Sequence, residues 1–225
     1  MRYLTFLLAL VGPALLWAQD PAAEKLMKDA HVVRSGWDKS FPGFTAQLVV
    51  NIDGQEATGK FTVTKEGKLD IELPAGPLAD WAQQQLDSIV SHRNAGVRDK
   101  YDVSFADDVV NHPLGRLLKF SGSHNFYRIK GDLITEVHRE TGKGGKFTIS
   151  VTEAVKNSDG KYLPKAFSVT YWDGDGNITR NEDYHEDWVR VGNYDLPARR
   201  LLVRTSKGAR SVAELKLNNP KLLGQ

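Results

Sequence analysis

The sequence predicts an α+β protein: a strongly twisted antiparallel, half-barrel-like sheet with two helices packed on its concave face. Three observations carry this. Two segments repeat apolar residues at helical spacing, most of the rest alternates apolar and polar residues with period two, and short Gly, Asp and Asn turns join the alternating runs.

The first segment is neither helix nor strand of the working fold. Met1–Ala18 has a basic head at Arg2, an apolar run from Leu4 to Trp17 and a small residue before Gln19 and Asp20. That is the layout of a secretory signal peptide, too short for a stable membrane anchor. Removing these 18 residues from 225 leaves 207, enough for one domain with its own core, expected over 19–225. The expected destination is outside the cytoplasm, periplasmic or secreted. No later apolar stretch reaches the roughly 20 residues needed to cross a bilayer, so the cleaved chain is expected not to span a membrane.

Asp20 and Pro21 read as an N-cap followed by proline at the first helical position. Leu26, Ala30, Val33 and Trp37 then mark one face of a first helix, which Phe41, Pro42 and Gly43 end. A three-stranded meander follows. Phe44 to Val50 alternates, Asp53-Gly54 is a hairpin signal, Phe61 and Val63 alternate, Glu66-Gly67 turns, and Leu69, Ile71 and Leu73 alternate. Pro74 to Pro77 breaks the sheet. Leu78, Trp81, Ala82, Leu86, Ile89 and Val90 mark a second helix ending near His92 and Arg93. Residues Asn94 to Pro113 read as a long polar loop with a short strand at Tyr101 to Phe105. The remainder reads as antiparallel strands at Phe126–Lys130, Leu133–Arg139, Phe147–Val151, Ala166–Trp172, Ile178–Val191, Leu201–Arg204 and Val212–Leu217.

Composition excludes several functions. The chain has no cysteine, which removes thiolate catalysis, cysteine metal sites, a disulfide scaffold and a lipid-modified N-terminal cysteine. With Arg2 removed, 29 of the 30 basic residues face 28 acidic ones, a balance unlike that of a nucleic-acid binder. The charge is uneven, however. Asp173 to Arg190 holds six acids and two bases, and Pro197 to Gln225 holds seven bases and one acid. Complementary neighbouring strands account for this; a basic rim for an anionic ligand or a membrane surface is the sharper alternative.

Motifs for phosphate and calcium fail in detail. Around Thr141–Lys146, Val137 and Glu140 stand where a phosphate loop needs its first glycine, and Gly144 and Phe147 where it needs Ser or Thr. Asp173–Asn177 starts like a calcium loop, but Ile178 and Tyr184 occupy the required glycine and glutamate positions. Both read as hairpin tips. The six histidines form no pair with metal-ligand spacing, so no metal and no cofactor is implied.

Two groups of residues remain as candidates. His92, Arg93, Asp107, Asp108, His112 and Arg116 crowd one stretch of sequence, where a histidine beside carboxylates is suited to acid–base work. Trp37 and Trp81 sit on the apolar faces of the two helices, as core or as the wall of an apolar ligand cavity.

Taken as a set, Phe41–Phe44, Gln85–Arg93, His112–Arg116, Lys161–Pro164, Val169–Asp173, Trp188–Gly192 and Tyr194–Pro197 resemble a bacterial domain-of-unknown-function family of exported proteins. The resemblance spans nearly all of the chain after Ala18 and implies no activity and no site residue. The order of elements is also similar, more loosely, to the periplasmic lipoprotein-carrier half-barrels, whose sheet and helices enclose a cavity for acyl chains. The leading expectation is therefore an exported, non-enzymatic protein holding a lipid or other apolar ligand, with Trp37, Trp81, His92, Arg93, His112 and Arg116 as ligand-binding candidates. Two rivals stand beside it: a hydrolase-like enzyme using the His92 to Arg116 region, and an interaction module that binds a protein partner through sheet edges or the acidic and basic strands, with an exposed apolar patch and no enclosed cavity.

Overall fold

The computed structural model describes residues 20–94, 96 and 98–224. The expected signal segment, Met1–Ala18, lies outside them. Helix α1 (Pro21–Val32) starts where the sequence places it: the Asp20 carboxylate accepts from the amides of Ala22 and Ala23, both at 3.1 Å. It buries Ala23, Met27 and Ala30. The helix stops short of Trp37, because the chain turns out at Val33 to form a parallel bridge between Arg34 and Tyr162.

The meander forms as expected, with β1 (Gly43–Ile52), β2 (Gln55–Thr64) and β3 (Leu69–Glu72). Asp53 and Gly54 take φ of 50° and 89°. Two consecutive positive values give the mirror-image turn whose twist matches that of paired strands. Helix α2 (Pro77–Asn94) buries Trp81, Ala82, Gln85, Leu86, Ile89, Val90 and Arg93.

The remaining strands are β4 (Val103–Phe105), β5 (Arg116–Phe120), β6 (Phe126–Lys130), β7 (Leu133–Glu140), β8 (Lys146–Lys156), β9 (Tyr162–Trp172), β10 (Ile178–Val191), β11 (Tyr194–Ser206) and β12 (Ala209–Leu222). The sequence pattern predicts no strand at β5. The His112–Arg116 motif hid it: Gly115 has φ 91°, and a Cβ there would lie 2.0 Å from the Ile129 carbonyl oxygen, so this glycine lets β5 draw close against β6. Strands β9, β11 and β12 also run longer than expected, continuing through Pro164, Pro197 and Pro220, and β8 continues to Lys156.

All twelve strands join one antiparallel sheet in the order β3-β2-β1-β12-β11-β10-β9-β8-β7-β6-β5-β4. The two end strands, β3 and β4, do not pair with each other, so the sheet stays an open half-barrel. The helices occupy its opposite ends. Helix α2 packs on β1 and β3, over a core that includes Phe44, Leu48, Phe61, Leu215 and Leu217. Helix α1 packs on β4 and β6, over a smaller cluster of Met27, Leu118 and Ile129.

The uneven charge resolves into facing strands. Register sets Glu182 opposite Arg204, Glu186 opposite Arg200 and Asp187 opposite Arg199. Arg199 also reaches Glu214 on β12 at 2.6 Å. The two glycine- and aspartate-rich stretches are hairpin tips, a short 3-10 turn at Gly142–Gly144 and a loop in which the Asp173 carboxylate accepts from the amides of Asp175 and Asn177. No helix among the described residues is long and apolar enough to cross a membrane.

Candidate functional site

With one helix at each end, the middle of the sheet's inner face is left uncovered, and a cavity of about 430 Å³ lies there. That size falls within the roughly 300–1,000 Å³ of small-molecule sites. The floor comes from alternate residues of neighbouring strands: Val137 on β7, Phe147, Ile149 and Val151 on β8, and Phe167, Val169 and Tyr171 on β9. Period two puts all of these on one face. Ala30 and Arg34 bring in the α1 side, and Ser88, Ile89, His92 and Arg93 the C-terminal half of α2.

One wall is polar. On β10 the inward-facing residues run Glu182, Tyr184, Glu186, Trp188, so two acids alternate with two aromatics. Each acid is buried and matched. Glu182 takes Arg204 Nε at 2.7 Å and the hydroxyls of Tyr184 and Tyr171 at 2.9 and 3.2 Å. Burial and the nearby Glu182 charge hold both tyrosine hydroxyls in their protonated form well beyond neutral pH. Glu186 is bound by Nε and Nη2 of Arg200, whose Nη1 donates to Gln85 Oε1 at 3.1 Å. A pair this enclosed is a weak source of net stability, but removing one partner strands the other charge.

Arg93 is different. It is 5% exposed, its guanidinium lies 4.8 Å from the Trp188 ring centroid, and Nη1 donates to the Ser35 carbonyl at 3.0 Å. Burial lowers its pKa to about 10, helped by the repulsion of Arg34 and opposed by Glu186. His92, beside it, is exposed and lines the cavity. Loss of water lowers its pKa, and Arg34, Arg93 and Arg200 push the same way against the Ser88 carbonyl, to which Nδ1 donates at 2.6 Å. The site favours neutral imidazole.

Of the six candidates from the sequence, the structure brings His92 and Arg93 to the cavity. The other four do not line it. Trp37 stacks on Phe41 at 4.2 Å, and its Nε1 donates to the Asp195 carbonyl. Trp81 is buried in the core under α2. His112 ends in a local turn, where Nδ1 accepts from the Leu114 amide at 3.1 Å, and Arg116 lies 3.7 Å over the Phe105 ring. Asp107 is likewise taken up locally, by the Val109 amide. The side chains between His92 and Arg116 therefore do not gather into one cleft, as the hydrolase reading required.

Sequence reasoning missed Arg34, Tyr184, Glu186, Trp188 and Arg200. A signal was present. The even-numbered alternation of β10 puts Glu182 and Glu186 on the same face as Tyr184 and Trp188, and acids on an inward face need cations opposite.

An open antiparallel half-barrel, two end-packed helices and a largely apolar cavity with an arginine-rich side define the class of this fold. The chain belongs to a family described as a protein of unknown function (DUF3386), whose match covers residues 18–223. No curated protein and no solved structure matches the chain.

Proposed function

We propose that this chain is a non-enzymatic binding protein that holds a lipid or other amphipathic ligand in the cavity between the two helices. We propose further that it is exported, with Met1–Ala18 as the address. One observation carries the ligand reading. Phe147, Ile149, Val151, Phe167 and Tyr171 carry the same inward alternation as the core strands, yet they stay half-buried around an open volume. Apolar surface held out of contact in this way is stabilised by an apolar occupant, at roughly 25 cal/mol per Å² covered. The lining joins an apolar floor on β8 and β9 to charged groups around it, which suits an amphiphile better than a sugar or nucleotide.

Native mass spectrometry of the purified protein, followed by solvent extraction, tests this. The expected result is a bound mass that extraction releases as a single-chain amphiphile. Protein that carries nothing and takes up no added fatty acid or single-chain lipid overturns the reading. For export, a fusion of Met1–Ala18 to a reporter active only outside the cytoplasm is expected to give signal; a silent fusion overturns that part.

A further inference from the structure

We propose that the ligand's head is anionic, a carboxylate or a phosphate monoester on a single acyl chain, and that Arg93 and Arg34 hold it. This rests on the ligand-binding reading above and adds the head's chemistry and its seat.

The argument begins with the charges that line the cavity. They are Arg34, Arg93, Arg139 and Arg200 against Asp132 and Glu186, two more cations than anions. Most are already engaged. Arg200 and Glu186 neutralise each other. Arg139 donates to the Tyr127 hydroxyl at 2.6 Å and lies over the rings of Tyr127 and Phe120. Asp132 accepts from the Tyr162 hydroxyl at 3.1 Å. Among the described residues, neither Arg34 nor Arg93 has a carboxylate within ion-pairing distance.

Arg93 is the second, independent observation. Its side chain is 5% exposed and lines the cavity, and Nε has no hydrogen-bond partner. A buried guanidinium with an unmatched N–H is costly unless something meets it. Ser35 offers one carbonyl and Trp188 a ring face; the Glu186 and Asp195 carboxylates also attract Arg93, but each is already paired, with Arg200 and Arg190. Arg34 adds a second cation close enough to depress the ionisation of Arg93. Two like charges facing one hollow are relieved by an anion between them. The planar fork of a guanidinium suits the paired oxygens of a carboxylate or phosphate.

The lining also includes an apolar floor on β8 and β9, with Phe147, Ile149, Val151, Phe167 and Val169. At about 30 Å³ for each water-sized group, 430 Å³ takes on the order of fourteen such groups. That is room for one medium acyl chain.

The test uses the whole protein and three chain-matched probes: tetradecanoate, tetradecyl phosphate and 1-tetradecanol. Affinity is measured by calorimetry for the wild type, Arg34→Gln and Arg93→Met. At least one anion is expected to bind about tenfold or more tightly than the alcohol, and the stronger of the two names the head. Arg34→Gln and Arg93→Met are each expected to erase the anion's advantage over the alcohol, both ligands being measured on the same variant. Arg93 is buried, so that variant is read only if its far-ultraviolet dichroism matches the wild type; Arg34→Gln and the wild-type comparison stand without it. Equal binding of alcohol and both anions overturns the anionic head and leaves the cavity reading in place. A preference that survives both substitutions overturns the assignment to these arginines. Failure of all three probes to bind overturns the cavity reading, and this inference with it.

Discussion

Strands β1 and β8 carry the same pattern and meet different fates. In β1, Phe44, Ala46, Leu48 and Val50 point inward and all are between 0% and 4% exposed. In β8, Phe147, Ile149 and Val151 also point inward, and all are only half-buried. The alternation is equally clear in both. The difference lies overhead: α2 packs on β1 and β3, while β8 faces the gap between the helices. A period-two pattern therefore tells which face a residue joins, and says nothing about whether that face is covered.

Substitutions at matched positions should widen that contrast. The largest loss belongs to the covered end. Phe61 is fully buried among Phe44 and its neighbours, and Phe61→Ala is expected to cost about 3–5 kcal/mol, read as a lower urea midpoint with unchanged slope. A loss near 1 kcal/mol would mean that the core under α2 is no tighter than the cavity floor. At the border between the regions, Arg200→Met leaves Glu186 buried and uncompensated, and about 3 kcal/mol should be lost. The double variant with Glu186→Gln should regain much of that, because no stranded charge remains; a double variant as unstable as the single one would refute the ion-pair account.

On the uncovered strand the effects should be smaller. Ile149→Ala is expected to cost about 1 kcal/mol, since little close packing is lost there. Ile149→Trp should instead fill the space, hold stability within about 0.5 kcal/mol and abolish amphiphile uptake. Uptake by the tryptophan variant would show that the ligand sits elsewhere.

The smallest effect is on pH dependence. Burial lowers the pKa of His31 below 6.5, with Arg34 and Arg98 repelling its proton and the Met27 carbonyl favouring it; desolvation likewise lowers His92 and His138. None of the three belongs to the core under α2. Because the unfolded chain takes up these protons first, stability should be flat at alkaline pH, fall as pH drops through 6.5, and level off below the folded-state values. His31→Gln should remove part of that slope, and a slope unchanged by it would assign the effect to other groups.

The sequence made much of the fold legible and little of the site. Asp20 and Pro21 announced α1, Asp53-Gly54 announced the first hairpin, and the period-two runs announced most strands, because each is a local rule. Strand β5 was hidden because its first residue follows a glycine turn that reads as loop. Trp37 and Trp81 were attractive as cavity walls because they lie on or near apolar helix faces, but a helix face says nothing about which end of a sheet the helix will choose. His92 and Arg93 reached the cavity because α2 crosses toward its middle at that point. Arg34, Glu186 and Arg200 come from three distant segments, and only the strand register brings the last two together.

The strand order also has a kinetic meaning. Every pair in the sheet joins strands adjacent in sequence except β1 with β12, where Phe44 meets Leu222 and Leu48 meets Leu217. Ten of the eleven pairings can therefore form as successive hairpins, with short loops to close. The eleventh must bring together residues more than 160 positions apart, and its entropy of closure is recovered only when Leu215 and Leu217 reach the inward side chains of β1. Contact order predicts the slow step of folding at that seam, which is also where the main core is completed.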